Sequence, residues 1–211
     1  RRVREHRALG HRTVLITESL LDSRALLYGG NSETVYLFVW LDTKDGPLVI
    51  DLPPHLLGMI NDAWGRYVID VGNAGPDRGQ GGKYLLLPPD YTDPVPDGYF
   101  VARSPTFGNL LTARGFLVNG DPRPAVENTK KHFRVFPLRR AENPPEMTFV
   151  DISGKAWNSI AASDASLFDE VAQVVTEEPL EIVDPETRGL LASVGIRKDK
   201  PCAPDGRLRR I

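Results

Sequence analysis

Residues able to do chemistry are sparse in this chain, and the best of them gather between Asn31 and Pro53. Tyr36 and Trp40 share a strand-like run with Phe38, and Asp51 lies in the next run. Two flat rings edged by a carboxylate suit stacking on a sugar or an aromatic ring, with the acid accepting a hydrogen bond. Arg103 and Arg114, on strands expected to be adjacent, add forked donors that fit a ligand carboxylate or a structural acid such as Glu33. These five residues, Tyr36, Trp40, Asp51, Arg103 and Arg114, form the candidate ligand site. No catalytic residue can be named from the sequence.

Other chemistries find less support. The four His residues, His6, His11, His55 and His132, are scattered without His-x-His or His-x-x-x-His spacing, so no metal site is expected. No Gly-x-Ser-x-Gly elbow marks a nucleophile. The glycine-rich segment Gly72 to Lys83 resembles a phosphate loop only superficially. Asp77 stands where the first Gly of Gly-x-x-x-x-Gly-Lys-Ser/Thr belongs, and Tyr84 replaces the hydroxyl residue. That segment is expected to be a flexible connector. Nothing points to a cofactor, and Cys202 is expected to be an ordinary thiol.

The elements that position the site residues follow from side-chain period. Val35, Leu37, Val39 and Leu41 share one parity and Tyr36, Phe38 and Trp40 the other, giving a strand with an aliphatic and an aromatic face. Such a strand belongs inside a sheet covered on both sides. Lys44-Asp45-Gly46 then signals a β-hairpin to Leu48 to Leu52. A two-residue loop would pair Trp40 with Asp51 and Leu41 with Ile50; a four-residue loop would pair Trp40 with Val49. The first is favoured because it keeps a charge off the aliphatic face.

Composition sets the outer bounds. At 211 residues the chain can bury roughly 70% of its unfolded surface. A net charge of -2 and the lack of a basic stripe argue against nucleic acid as partner. No apolar run is long enough to span a bilayer. The single cysteine suits oxidising and reducing compartments alike. Residues 1 to 13 read as an exposed basic arm, and the start without Met suggests a processed product or fragment. Residues 14 to 211 read as a single α+β domain, β-rich from 14 to 118 and helical from 121 to 195.

Within that frame, Val14 to Leu27 is strand or short helix, and Leu56 to Val71 is one or two strands or a helical turn. Strands are expected at Tyr99 to Arg103, Leu110 to Val118, Arg134 to Leu138 and Thr148 to Ile152. Asp121-Pro122 opens a helix. A helix from Asp164 carries Leu167, Val171 and Val174 on one apolar stripe and Phe168, Ala172 and Val175 on its neighbour, and one from Asp184 is expected to turn Leu190, Leu191 and Val194 inward. Between Ala141 and Leu191 eleven acids face two bases, a local charge of -9.

Asn31-Ser-Glu-Thr-Val-Tyr36, Trp40-Leu-Asp-Thr-Lys-Asp-Gly-Pro47, Gly81-Gly-Lys-Tyr84 with Leu-Leu-Leu-Pro-Pro89, Pro96-Asp-Gly98 and Asn143-Pro-Pro145 occur in family order. They make the chain resemble bacterial proteins that pair the domains of unknown function numbered 1254 and 1214, and specifically the first of the two. The resemblance spans about Val14 to Asp205. It implies a β-rich domain with appended helices, a C-terminal β-sandwich domain as partner, and a periplasmic or secreted protein. It implies no reaction. Two function classes stay open: a ligand-binding or scaffold domain with a small-molecule ligand, and a hydrolase using carboxylate and Tyr acid-base chemistry beside Tyr36 and Trp40. Oligomeric state is not legible.

Overall fold

The computed structural model describes residues 9–27 and 29–208. Most of the expected basic arm, residues 1–8, lies outside them. The chain divides into two compact units, 1–159 and 160–211.

The first unit is built from two sheets. Strands β1 (Thr13–Ile16), β3 (Thr34–Asp42), β5 (Leu56–Asp62), β6 (Tyr67–Gly72), β9 (Gly108–Phe116) and β11 (Thr148–Asp151) form a six-stranded sheet in the order β11-β1-β3-β9-β5-β6. Strands β4 (Leu48–Leu52), β7 (Gly82–Leu87), β8 (Phe100–Arg103) and β10 (Arg134–Pro137) form a second, in the order β10-β4-β7-β8. Two-residue strands β2 (Ala25–Leu26) and β12 (Trp157–Asn158) pair separately. Leu37, Val39 and Leu41 from the first sheet meet Ile50, Leu52 and Leu86 from the second in one continuous core. The helix α1 (Arg123–His132) joins this core through Val126, and Asn128 Nδ2 ties it to the Pro54 carbonyl. The architecture is α+β, as expected.

The hairpin between β3 and β4 does not form. β3 pairs with β1 and β9, whereas β4 pairs with β10 and β7, so neither expected register exists and Trp40 lies opposite Leu110. The turn itself is present, with the Gly46 amide donating to the Thr43 carbonyl at 3.0 Å. It swings the chain from one sheet to the other instead of returning it along β3. The Thr43 amide and hydroxyl both bond to the Phe107 carbonyl, which anchors this corner to the loop before β9. β3, apolar on both faces, sits inside its sheet with both edges occupied, and β4 is likewise flanked on both sides. Arg103 and Arg114 are separated in the same way, because residues 104–107 cross from β8 to β9 between sheets. Val14 to Leu27 contains β1 and β2 and no helix, and Leu56 to Val71 resolves into β5 and β6.

The glycine-rich segment is a constrained turn and not a flexible connector. The buried Asp77 carboxylate accepts the Gly72 amide at 2.8 Å, the Gly81 amide at 3.0 Å and the Tyr84 hydroxyl. Burial, then the bond to Asp77, pushes the Tyr84 phenol well above its ordinary range.

In the second unit, α3 (Pro185–Ser193) begins at its expected cap, the Asp184 carboxylate accepting the Thr187 amide at 2.8 Å, whereas α2 (Ser166–Glu177) starts after Ala165 without a side-chain cap. Of the expected stripes, Leu167 and Leu190 are exposed, Leu190 to 62%, Val171, Val174, Leu191 and Val194 are half-buried, and Val175 is 1% exposed. A unit this short has little interior to offer, and α3 buries no residue. Val175→Ala is therefore expected to cost about 1.5–3 kcal/mol in chemical denaturation, and Leu190→Ala less than about 0.5 kcal/mol.

Candidate functional site

The aromatic face of β3 splits into a covered part and a more open part. Tyr36 is 5% exposed and stacks on Phe38 with ring centroids 5.8 Å apart; Phe38 in turn meets Trp157 at 4.8 Å. With Leu15 and Ile152 these rings form a second core on the outer face of the six-stranded sheet. The Tyr36 hydroxyl accepts the Asn31 amide at 3.1 Å, and Asn31 Oδ1 accepts from the Glu33 amide and the Thr34 hydroxyl. Asn31 and Thr34 thus shape the turn into β3, as the sequence suggests. Trp40, at the far end of the strand, is only half-buried.

Register extends this face across the sheet. Trp40 lies beside Leu110, and Leu110 beside Asn61, which pairs with Tyr67. Phe38 leads to Thr112, Met59 and Asp70, and Tyr36 leads to Arg114 and Leu57. Toward the β6 edge the cover ends: Met59 is 41% exposed and Tyr67 is 63% exposed. Arg114 is half-buried and makes no ion pair with Glu33 or any other described acid.

Asp51 and Arg103 are elsewhere. Asp51 lies on the outer face of the four-stranded sheet, between Lys83 and Arg134 in register, so it does not edge the Trp40 ring. Burial raises its carboxyl above the ordinary value, and Lys83, Arg134 and His132 pull it partly back. The ionised form is thus less favoured in the folded chain than in the unfolded one. That penalty is absent below the reference value of 3.8 and sets in as pH rises through the raised one. Asp51→Asn is expected to melt above the parent at pH 7 and with it at pH 3. Arg103, on the β8 edge, donates to the Tyr91 carbonyl at 3.3 Å.

Acid-base chemistry would need a carboxylate beside a second titratable group. Asp77 and Tyr84 are such a pair, but Asp77 is committed to loop amides and Tyr84 is fully buried. Among the described residues, no three His, Cys, Asp or Glu are grouped to hold a metal ion. Tyr67, Asp70, Met59 and Asn61 lie outside the candidate set that the sequence yields, because the run from Leu56 to Val71 reads equally as strands or a helical turn.

With this geometry established, residues 13–137 match the family described as Protein of unknown function (DUF1254). The chain belongs to that family. The DUF1254 match runs from β1 through β10, so it contains both sheets except β11. No curated protein matches the chain. Among solved structures, the crystal structure of the VPA0106 protein from Vibrio parahaemolyticus resembles it with a TM-score of 0.59 at 18% identity. The likeness covers 85% of this chain and 46% of that one, so the chain spans less than half the length of that protein. At this identity the likeness speaks to fold alone.

Proposed function

We propose that this DUF1254 chain is a ligand-binding or scaffold domain of an exported bacterial protein. Its working surface is the outer face of β9, β5 and β6. The observation that carries this reading is the exposed apolar group of Met59 and Tyr67 on a sheet whose inner face is fully packed. Around it, Leu57, Leu110 and Thr112 are only half-buried, and Arg114 and Asp70 supply charge. Trp40 and Arg114 from the original candidate set belong to this face. Asp51 and Arg103 do not, and with Asp51 removed the hydrolase reading loses the carboxylate it placed beside Trp40. A C-terminal β-sandwich domain, which the family resemblance implies, would be its neighbour.

The test is a fragment screen on the 15N-labelled chain, read by amide chemical shifts. Perturbations are expected to cluster on Leu57, Met59, Tyr67, Asp70, Leu110 and Thr112. Hits confined to the Gly72 to Gly82 turn or to the four-stranded sheet would defeat the proposal.

A further inference from the structure

We propose that Tyr67, Asp70, Met59 and Asn61 form a recognition spot for a guanidinium group, the side chain of an arginine on a partner protein. This rests on the reading of the β9-β5-β6 face as the binding surface and names what one part of it takes. The argument begins with a bulge. Ile60 pairs with Ile69 but Asn61 pairs with Tyr67, so β6 carries an extra residue at this point. A regular strand would send residues three apart to opposite faces; the bulge puts Tyr67 and Asp70 on the same one. Both then sit beside Met59 and Asn61 on the outer face, on the last strand of the sheet.

The tyrosine ring is held although it is exposed. Its hydroxyl accepts the Asp70 amide at 3.1 Å and donates to Asp70 Oδ2 at 3.4 Å, so the ring is tethered at its tip while its bulk stays in solvent. The hydroxyl's one donor is thereby spent on Asp70. Asn61 spends one of its two amide N–H donors on the Gly65 carbonyl at 3.3 Å, and its Oδ1 stays an acceptor. The Asp70 carboxylate makes no ion pair among the described residues and takes only the Tyr67 hydroxyl. What faces outward is a π surface, a polarisable thioether and acceptors.

Such a set selects a ligand that is cationic, planar and purely a donor. A guanidinium can stack on the Tyr67 ring while its fork reaches the Asp70 carboxylate. A neutral sugar hydroxyl lacks the positive charge that the Asp70 carboxylate and the Tyr67 ring favour. The neighbouring cations do not fill it. Arg66 is held by the buried Asp62 carboxylate, and Arg114 sits on β9 opposite Leu57, a strand and a row away.

The experiment is a titration of the 15N-labelled chain with acetyl-Gly-Arg-Gly-amide, with the citrulline peptide as an isosteric neutral control and a glucan oligosaccharide as a third probe. Saturable shifts at Met59 and Tyr67 to Asp70 are expected with the arginine peptide, weakening as salt is added. Asp70→Asn and Tyr67→Ala should each weaken binding about two- to fivefold, and Tyr67→Phe less than Tyr67→Ala. Equal binding of the citrulline peptide, or no effect of Asp70→Asn, would overturn the inference. Shifts on this face with the oligosaccharide but not the arginine peptide would sink the guanidinium assignment alone. Silence with all three probes would remove the binding face as well.

Discussion

Asp77→Ala is expected to be the most damaging single change in the glycine-rich turn, costing roughly 3–5 kcal/mol and lowering the melting temperature by about 10 °C. The carboxylate closes the turn from inside, taking the amides of Gly72 and Gly81 and the hydroxyl of Tyr84. Truncation would strand these donors together, and Tyr84, which is fully buried, cannot turn to water. A lone unsatisfied buried donor costs about 1–3 kcal/mol, and here the losses share one cause. Calorimetry on the variant checks this. A loss under 1 kcal/mol would mean that water replaces the carboxylate and that the turn is looser than its hydrogen bonds indicate. Asp77→Asn separates shape from charge: one carbonyl oxygen survives, so a smaller loss is expected.

Gly72→Ala is expected to cost roughly 2–5 kcal/mol for two reasons that act together. The backbone at Gly72 has φ +74, a left-handed conformation that penalises any side chain, and an added Cβ would stand 2.0 Å from the Leu56 carbonyl oxygen. That oxygen cannot retreat cheaply, because it accepts the Asn73 amide at 2.8 Å. Gly46 makes the natural control. It also has positive φ, yet nothing lies within 4 Å of its Cβ position, so Gly46→Ala should cost only the conformational part. Equal losses at the two glycines would show that the close approach to Leu56 contributes nothing.

Much of the local structure was legible. The alternation in β3 separates an aliphatic face, which the structure puts in the main core with Leu37, Val39 and Leu41, from an aromatic one, on which Tyr36, expected at a ligand site, is instead buried with Phe38 in a second core. The Asp184 cap and the Asn31 turn were equally plain, because each depends on side chains bonding to backbone a few residues away. Phosphate binding was rejected in the glycine segment on spacing. Its rigidity was missed, although an acid set among glycines was a usable signal: such a residue can gather the amides around it.

What the sequence by itself determined was therefore the two faces of β3, several of the other strands, the turn after Asp42 and the Asp184 cap, since these depend on period, conformational preference and short-range bonding. Tertiary structure alone decided who pairs with whom. A tight turn after Asp42 serves a hairpin or a crossing between sheets equally well, and the choice fell to edge partners distant in sequence, with β9 taking the side of β3 that β4 was expected to hold. That choice moved Asp51 away from Trp40. It also brought Tyr67 and Asp70 onto one face, because the bulge that aligns them exists only in the pairing of β6 with β5 and leaves no trace in a period-two reading of either strand.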